Sequence, residues 1–310
     1  MNTGFRIIGW GSSVPDQILT NADLEKMVDT SDEWIVERTG IRERRVGAES
    51  TSGLAIEAGR KALAEAGIEG SDVDFVVAAT ITPDRICPGI AAYVQAELGV
   101  RGGAMDINAA CSGFAYGLIT AQGLIMAGAT RILVIGAERL STITDYTDRN
   151  TAVLFGDGAG ALLVEAVHEG GDMLAWDAGC DGTLTHLLAC EFGDYIRMDG
   201  KEVFRNAVRA VVESSTKVLA EAGVSADEIS LLVPHQANIR IVQAICQRLG
   251  IPEERAAMVI DKYANTSSAS IPLALVDALD KGRVKPGDLL LLTGFGAGMT
   301  WASAVLRWPG

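Results

Sequence analysis

The sequence predicts an α/β protein built from two similar halves, and two observations support that fold class. Residues 61–67 (KALAEAG) return 156 positions later as residues 217–223 (KVLAEAG), and each copy is typical of a helix closed by a C-cap glycine. A polar link and a short apolar strand follow each copy at the same offset, at residues 71–77 and 227–233. Chance similarity between alanine-rich helices does not explain strands that share this offset.

The strand predicted at residues 131–136 also has a counterpart, at residues 288–293, at nearly the same offset. Strands that alternate with helices indicate a mostly parallel sheet that is buried on both faces. A chain of 310 residues is also longer than one average core supports. We therefore predict two α/β halves, at residues 1–168 and 169–310.

The composition favours a globular protein of the cytoplasm. Hydrophobic residues make up 48% of the chain, its start lacks the pattern of a signal peptide, and no run of about 18 residues is apolar enough for a membrane span. The five cysteines show no C-x-x-C spacing, which argues against a disulfide framework and against a zinc site, so we predict no bound metal. The net charge of −14 disfavours nucleic acid as a partner.

Basic residues gather in two places in this acidic chain. An acidic protein would be attracted only at such places, because the chain as a whole repels it. The first cluster is Arg38, Arg42, Arg44 and Arg45, and the second, at helical spacing, is Arg240 and Arg248.

Cys111 follows a strand-like run and opens an apolar run of helical spacing that extends to Gly128. At a helix start, unsatisfied N–H groups and the helix dipole stabilise an anion, so we expect the thiol to ionise more readily than its free pKa of about 8.5 implies. Ser112 and Gly113 leave room for a substrate. For this residue alone, a buried and unreactive cysteine is an equally open interpretation.

The duplication relates Cys111 to a second polar segment. Adding the offset of 156 to its number gives Ser267, which lies between a strand-like run at residues 257–260 and an apolar helix that starts at Ile271. Ligand sites form at the carboxyl ends of parallel strands. We therefore expect the two loops to face each other.

His235 and Asn265 are polar residues near predicted strand ends. His235 closes the strand of residues 231–235, where it is either a catalytic group or a surface or capping histidine. Asn265 precedes a threonine and two serines. Its context is equally compatible with a turn or N-cap and with an amide that donates a hydrogen bond to a developing oxyanion.

Two glycine-rich segments, residues 156–160 and 294–298, superficially resemble nucleotide loops. A dinucleotide loop needs a strand before it and a helix after it, whereas both segments have predicted strands on each side. We interpret them as tight connections between neighbouring strands, with backbone N–H groups available to an oxyanion, and reject a dinucleotide site. The flanking strands are predicted at residues 152–155, 161–164, 289–292 and 302–305.

Taken together, these segments resemble the β-ketoacyl-acyl carrier protein synthase III family, whose members are condensing enzymes with the thiolase fold. The resemblance runs almost from end to end of the chain. Six segments in the same order, with the cysteine, the histidine and the asparagine all present, make it highly specific. The segments are residues 32–44, 105–117, 155–161, 234–240, 265–267 and 296–301.

This resemblance implies a thiolase-like α/β fold, with mostly parallel mixed sheets layered with helices, and it implies a reaction. Cys111 would be the nucleophile that takes an acyl group from acyl-coenzyme A as a thioester. His235 and Asn265 would hold the malonyl thioester carbonyl while carbon dioxide leaves, and the carbanion would attack acyl-Cys111. Backbone N–H groups of Cys111 and Ala297 would form the oxyanion hole. The product, a 3-oxoacyl-acyl carrier protein, would start fatty-acid synthesis.

The same resemblance implies the partners. The substrates would be acyl-coenzyme A and malonyl-acyl carrier protein, with no cofactor apart from the coenzyme A thioester itself. Trp34 and Arg149 would enclose the adenine of coenzyme A, and Arg38 would contact its nucleotide end. The enzyme would be a homodimer in which a loop near Cys87 closes the acyl pocket of the partner subunit. The residues expected to dock the carrier protein are Gln236, Arg240 and Arg248.

Three features depart from the family pattern and concern the pocket. Cys87 stands where many relatives carry a bulkier side chain, Ala302 stands where glycine is usual, and the segment 179–199 is short. The alternatives are a related condensing enzyme of specialised or long-chain acyl metabolism, an acyltransferase that omits decarboxylation, and a non-catalytic partner of a condensing enzyme. A degradative thiolase is disfavoured because residues 294–301 contain no second cysteine.

Overall fold

The computed structural model describes residues 4–309, in which strands alternate with helices. None of the helices in this range is both long and apolar enough to cross a membrane. The strands are β1 Gly4–Ser13, β2 Ile18–Thr20, β3 Glu43–Arg45, β4 Phe75–Ala79, β5 Gly103–Ile107, β6 Arg131–Arg139, β7 Asp157–Val167, β8 Met173–Cys180, β9 Leu188–Ala189, β10 Arg197–Met198, β11 Ile229–Pro234, β12 Leu289–Gly296 and β13 Thr300–Arg307. The helices are α1 Asn21–Leu24, α2 Asp32–Thr39, α3 Thr51–Ala66, α4 Ile90–Glu97, α5 Gly113–Met126, α6 Arg149–Ala152, α7 Gly200–Ala222, α8 Ile239–Leu249, α9 Ile260–Tyr263 and α10 Ser270–Asp280.

The first large sheet has five strands in the order β1-β7-β6-β4-β5. Strand β4 runs parallel to both β5 and β6, whereas β7 is antiparallel to β6 and to β1. The central strands β4 and β6 are almost wholly buried, as expected for strands that carry apolar residues on both faces. The predicted parallel pairing therefore holds at the centre of this sheet and not at its β7–β1 side.

The second large sheet repeats this arrangement with four strands in the order β11-β12-β13-β8. Strand β11 is parallel to β12, and β13 is antiparallel to both of its neighbours. Each strand therefore has a counterpart in the first sheet, in the order β4, β6, β7 and β1. The strand predicted at residues 257–260 is not formed, because this region meets β11 only through a single bridge between Leu232 and Ala256.

Helices α5 and α10 lie between the two sheets and form the central layer of the core. Their side chains, such as Phe114 and Leu275, share one buried cluster with Val77 and Val134 of the first sheet and with Leu231 of the second. Helix α3 packs on the outer face of the first sheet, and α7 packs on the outer face of the second. These layers confirm the predicted α/β class with two sheets, each packed between helices.

The repeat that the sequence predicted is visible at the ends of α3 and α7. Both helices end at a glycine in the left-handed conformation, Gly67 with a φ of 64° and Gly223 with a φ of 66°. Glycine adopts this conformation without the steric cost that a side chain brings. The division at residue 168 falls between β7 and β8, and the assignment of the two halves as domains stays a prediction.

The structure agrees with the prediction for one glycine-rich segment and disagrees with it for the other. Residues 152–155, predicted as a strand, are the end of α6 and a turn, so that prediction is wrong. Gly158 and Gly160 lie inside β7, where the ring of Pro272 in α10 approaches too closely for a Cβ at Gly160. Residues 294–298 connect β12 to antiparallel β13, as predicted. Neither segment has the strand-then-helix context of a dinucleotide loop.

Candidate active site

The polar residues predicted at separate strand ends meet in one cavity. Its volume is about 570 Å³, and Cys111, His235 and Asn265 all line it. A cavity of this size with a few convergent polar groups is typical of a ligand-binding site. Its apolar wall consists of Ile81, Ala109, Leu140, Ile143, Leu154, Phe155, Leu188, Ile196, Met198, Val203, Phe204, Ile241 and Phe295.

Cys111 lies in a tight turn at the start of α5. The turn spans Ala110–Ser112 and begins with Ala110 in the left-handed region at a φ of 48°, which is uncommon for a residue other than glycine. The hydroxyls of Ser112 and Thr300 both lie within hydrogen-bond distance of the carbonyl oxygen of Ala109, at 2.7 and 2.9 Å. Cys111 is only 9% exposed, so a substrate reaches its thiol through the cavity.

The protonation of Cys111 reflects opposing effects. Burial raises the pKa of its thiol to about 12, the hydroxyl of Ser267 lowers that pKa, and the buried carboxylate of Glu138 raises it. The N-terminal end of α5 also favours the thiolate. The sequence-based prediction of a lowered pKa is wrong for the free protein, because removal of the sulfur from water outweighs the groups that favour its charge.

Asn265 precedes the equivalent turn of the second half. This turn spans Ser267–Ala269, begins with Ser267 in the left-handed region at a φ of 47°, and leads into α10. The two turns are separated by one residue more than the predicted offset of 156, so that Cys111 corresponds to Ser268 and not to Ser267. The predicted relation between the two loops is otherwise confirmed, because both border the same cavity.

The side chain of Asn265 is fixed in one orientation. Its Oδ1 atom accepts a hydrogen bond from the N–H of Ser267 at 2.9 Å. Its own N–H donates to the carbonyl of Leu154 at 2.9 Å, and its carbonyl accepts from the N–H of Gly156 at 3.0 Å. Since Oδ1 is occupied by the backbone, Asn265 presents Nδ2, a hydrogen-bond donor, to a ligand.

His235 is also held by its neighbours. Its Nδ1 atom lies 2.6 Å from the Oγ of Ser270, and Phe295 packs against its ring edge-to-face at 5.3 Å. The Ser270 Oγ accepts from the N–H of Gln236 at 3.4 Å and has no other acceptor among the described residues, so we assign its proton to the bond with Nδ1. In that tautomer Nε2 carries the ring proton. Burial lowers the pKa of His235 to about 3, so the ring is neutral near pH 7.

A glycine lets the loop after β12 approach the nucleophile. A Cβ on Gly296 would lie 2.5 Å from the backbone nitrogen of Cys111 and 2.8 Å from the Cβ of Ala110. Only glycine therefore fits at this position, and the next residue, Ala297, lines the cavity. The arrangement brings the backbone of Gly296, the residue before Ala297, close to that of Cys111.

Trp34, Arg38 and Arg149 form one stacked group. The guanidinium carbon of Arg38 lies 4.8 Å from the centre of the Trp34 ring, and that of Arg149 lies 4.6 Å from it. Arg149 also donates to the carbonyl of Asp29 at 2.9 Å. The structure thus brings together the three residues expected at the nucleotide, but Arg149 stands too close to Trp34 for a base to lie between them.

The residues predicted to dock a carrier protein have different environments. Arg240 and Arg248 are exposed on α8, and neither takes part in an ion pair among residues 4–309. Gln236 is wholly buried, and its side-chain amide bonds to the backbone at the end of β11 and after α8. The predicted docking role of Gln236 is therefore wrong, because a partner cannot reach its side chain.

Arg44, which the sequence placed in a basic surface cluster, is fully buried. Its guanidinium donates to the side-chain oxygen of Asn21 and to the carbonyl of Val153, each at 2.7 Å. Burial lowers the pKa of Arg44 to about 10. It ties the two-stranded β2–β3 sheet to the end of α6, so its assignment to a basic surface is wrong.

Two further segments concern the pocket and its entrance. Cys87 is exposed and does not line the cavity of its own chain, so an effect on an acyl pocket requires a second subunit. The short segment 179–199 folds into a turn and the β9–β10 hairpin. Its residues Cys190 and Phe192 line the cavity, and Phe192 is 93% exposed. This segment therefore forms one wall of the entrance.

Sequence reasoning missed the buried groups that support the donors. Ser270 is one of several small residues in its segment and carried no distinguishing signal. Glu138 is the second-last residue of β6 and follows a run of six residues that are apolar or glycine, so a carboxyl beside an apolar run is the one signal in the sequence. In the sequence, Ser267 is indicated only by the duplication, which predicts no role for it.

Comparisons with known proteins agree with this geometry. Residues 105–182 match the family described as 3-Oxoacyl-[acyl-carrier-protein (ACP)] synthase III, and residues 219–308 match its C-terminal family. The first match contains Cys111, and the second contains His235 and Asn265.

Whole-chain relatives carry the same description. Beta-ketoacyl-[acyl-carrier-protein] synthase III of Geobacillus kaustophilus is 52% identical over 310 residues, which cover 98% of this chain and 99% of that protein. Beta-ketoacyl-[acyl-carrier-protein] synthase III 1 of Bacillus anthracis is 50% identical over 313 residues, with 99% of both chains covered. The crystal structure of 3-oxoacyl-[acyl-carrier-protein] synthase III from Aquifex aeolicus matches with a TM-score of 0.96 at 48% identity, covering 98% of this chain and 100% of that one.

Proposed function

The chain belongs to the β-ketoacyl-acyl carrier protein synthase III family, and from this premise we propose how its residues carry out the reaction. It is an acyltransferase, a condensing enzyme that initiates fatty-acid synthesis, and it has the thiolase-like fold of that family. We propose that acyl-coenzyme A loads Cys111 and that malonyl-acyl carrier protein extends the acyl group by two carbons. The products are a 3-oxoacyl-acyl carrier protein, coenzyme A and carbon dioxide.

In the first half-reaction, the Sγ of Cys111 attacks the carbonyl carbon of the acyl-coenzyme A thioester. The old carbon–sulfur bond breaks, the thiol proton of Cys111 passes to the leaving sulfur, and coenzyme A departs as a thiol. The close approach of Gly296 to the Cys111 backbone supports an oxyanion hole made by the N–H groups of Cys111 and Ala297. Loss of one such donor costs about 3 kcal/mol of transition-state stabilisation.

In the second half-reaction, the Nε2–H of His235 and the Nδ2–H of Asn265 donate to the malonyl thioester carbonyl. As carbon dioxide leaves, the electron pair of the broken carbon–carbon bond forms an enolate, and both donors stabilise its oxygen. The enolate carbon attacks the carbonyl of acyl-Cys111, and the thiolate of Cys111 leaves and takes up a proton. A neutral imidazole suits this role because it donates a hydrogen bond without being a strong acid.

The stacked group at the surface supports a nucleotide site. We propose that the adenine of coenzyme A stacks on Trp34, with Arg38 near the phosphates. Because Arg149 now contacts Trp34 at 4.6 Å, the base enters only after Arg149 swings away from the ring. Arg149 can then close on the other face of the base, a movement that breaks its hydrogen bond to the carbonyl of Asp29.

The carrier protein, an acidic partner in this proposal, docks at the exposed arginines of α8. Arg240 and Arg248 are free of ion pairs with described residues, so they retain their charge for a partner although the chain carries a net charge of −14. We further propose a homodimer in which Cys87 reaches the acyl pocket of the other subunit, and a location in the cytoplasm.

The observation that carries this proposal is the convergence of Cys111, His235 and Asn265 on one cavity. The test is the intact mass of the protein after mixing with acetyl-, isobutyryl- or octanoyl-coenzyme A, without a malonyl substrate. We expect one acyl adduct, absent from Cys111→Ala, and the best donor identifies the primer class. Cys246→Ala removes another buried thiol and serves as the control that keeps the adduct. No adduct with any donor, or an adduct on Cys111→Ala, contradicts the assignment of the nucleophile.

A further inference from the structure

A buried carboxylate lies beneath the active site and has no part in the chemistry described above. Glu138 is the second-last residue of β6 and is 0% exposed. It accepts hydrogen bonds from groups in both halves of the chain, although it touches neither the proposed substrate positions nor a cation in an ion pair. A carboxyl group taken out of water needs such donors to remain in the folded protein.

On one side, Glu138 holds the segment that follows β4. Its Oε2 atom accepts from the hydroxyl of Thr82 at 2.7 Å, from the N–H of Thr82 at 3.2 Å and from the N–H of Ile81 at 3.1 Å. The hydroxyl of Thr80 lies 3.2 Å from the same oxygen. Burial raises the pKa of Glu138, and the hydrogen bonds from Thr82 and Ile81 lower it.

On the other side, Glu138 holds the turn that leads into α10. Its Oε1 atom accepts from the hydroxyl of Ser267 at 3.0 Å and lies 2.8 Å from the hydroxyl of Ser268. Ser267 has a φ of 47°, a conformation that a residue with a side chain adopts only when its surroundings enforce it. The Ser267 side chain lines the cavity, where its hydroxyl donates to Glu138 and also lies at the thiol of Cys111.

The same serine connects Glu138 to a proposed active-site donor. The N–H of Ser267 donates to the Oδ1 of Asn265 at 2.9 Å, and this bond leaves Nδ2 free for the malonyl carbonyl. If the Ser267 backbone rotates, its N–H moves and the amide of Asn265 loses the bond that selects its orientation. Glu138 is therefore two hydrogen bonds away from Asn265.

We propose that Glu138 is a positioning residue for the decarboxylation step, acting through Ser267 on the orientation of the Asn265 amide. This inference rests on the proposed function of Asn265. Glu138 touches no reacting atom and does not transfer a proton. It holds the turn Ser267–Ala269 against the segment that follows β4. The orientation of the Asn265 amide therefore depends on a carboxyl group of the first sheet.

The test is Glu138→Gln, which keeps the size of the side chain and replaces one oxygen by an NH₂ group that faces donors. We expect decarboxylation of malonyl-acyl carrier protein to fall by about tenfold to 100-fold, since a misplacement of about 1 Å in an active site costs up to about 100-fold. Acylation of Cys111 is expected to change much less, because that half-reaction does not use the amide of Asn265. Equal losses in both half-reactions would overturn the proposal.

A double-mutant cycle separates positioning from general damage. In an Asn265→Ala background, Glu138→Gln should cause no further loss of decarboxylation, because the group that it positions is gone. Additive losses in the two backgrounds would contradict the proposal.

Asp157→Asn is the matched control: Asp157 is a buried carboxyl that bonds to Ser141 and Gly47 and not to the turn before α10. We expect it to lower the melting temperature without changing the ratio of the two half-reactions.

A second variant covers the case in which Glu138→Gln fails to fold. Ser267→Ala removes the hydroxyl that bonds to Glu138 and keeps the N–H that bonds to Asn265, and we expect decarboxylation of malonyl-acyl carrier protein to fall. The same hydroxyl lowers the pKa of Cys111, so decarboxylation is measured in this variant without an acyl donor. An unchanged decarboxylation rate in this variant would overturn the proposal. Wild-type protein that acylates Cys111 but never decarboxylates malonyl-acyl carrier protein would instead contradict the proposed function itself.

Discussion

The turn that holds Cys111 and the turn that follows Asn265 have the same backbone and opposite surroundings. Each begins with a left-handed residue, Ala110 at a φ of 48° and Ser267 at a φ of 47°, and each leads into a helix of the central layer. In the first turn the side-chain hydrogen-bond partner of the thiol is the hydroxyl of Ser267, which belongs to the second turn. In the second turn and the residues beside it, hydrogen bonds fix Asn265, Ser267 and Ser270.

This difference follows from what each turn has to do. A nucleophile must approach a carbonyl carbon, so a cysteine at a helix start needs an open path and little more. A donor that stabilises an enolate must already point to the place where charge develops, because reorientation during the reaction costs free energy. The duplicated backbone therefore carries the attacking group in one half and a hydrogen-bonded frame for a donor in the other.

The largest effect is expected when a hydrogen-bond donor to the enolate is removed. His235→Ala removes the Nε2–H donor, and we expect decarboxylation to fall by about 100-fold to 1,000-fold, the cost of one oxyanion donor. Acylation of Cys111 should persist, because its oxyanion hole is made of backbone N–H groups. Single-turnover rates of acyl transfer and of carbon dioxide release check this result. Comparable loss of both rates would mean that the two turns do not divide the reaction.

A smaller effect is expected where the support of a donor is removed. Ser270→Ala takes away the hydrogen bond to Nδ1 of His235, and we expect about tenfold slower decarboxylation, because one hydrogen bond of about 1.4 kcal/mol selects the tautomer. Ser303→Ala, which removes a buried hydroxyl bonded to Thr293, is the control and should leave the rate unchanged. If both variants have wild-type rates, the assignment of the His235 tautomer is wrong.

The pH dependence of carbon dioxide release below pH 7 tests whether His235 is neutral in the folded protein. Burial lowers the pKa of His235 to about 3 from an ordinary value of 6.5. The folded protein therefore keeps the ring neutral while the unfolded chain takes up a proton, so the stability from this residue is complete above pH 6.5 and decreases as the pH falls towards 3. For carbon dioxide release from saturated enzyme, we expect no inflection near pH 6.5. An inflection there that disappears in His235→Ala would show that the ring titrates at its ordinary pKa.

The smallest expected effect concerns the rim of the site. Arg240→Glu should raise the KM for malonyl-acyl carrier protein by about fivefold and leave that for acyl-coenzyme A unchanged, because one exposed charge contributes about 1 kcal/mol. Arg60→Glu, the same change on the exposed face of α3, is the control. If the two variants have the same KM for the carrier protein, the docking surface lies elsewhere.

The fold and the segment around Cys111 leave local signals in the sequence, whereas the roles proposed for His235 and Asn265 follow from the resemblance to the family. Helices that end in glycine, strands at a common offset and the segment around Cys111 depend on neighbours in the chain. Gln236 and Arg44 show the limit of such signals. Each is polar and lies in a segment expected at the surface, yet each is fully buried and bonds to the backbone, a tertiary contact that no periodicity reveals.

For the same reason, the contacts that support the active-site residues cannot be predicted from the sequence. The bond between Glu138 and Ser267 joins residues that are 129 positions apart, and the bond between His235 and Ser270 depends on how α10 meets β11. The pKa of Cys111 was predicted in the wrong direction because a helix start is visible in the sequence, whereas the burial that outweighs it is a property of the assembled cavity.

The most direct test of the division between the two turns is the intact mass of Asn265→Ala during incubation with both substrates. We expect this variant to accumulate as the acyl-enzyme on Cys111, because loading continues while the enolate donor is missing, whereas wild-type enzyme discharges its acyl group. A variant that stays unacylated while acyl-coenzyme A remains in excess would contradict this division, since Asn265 would then be needed for the first half-reaction as well.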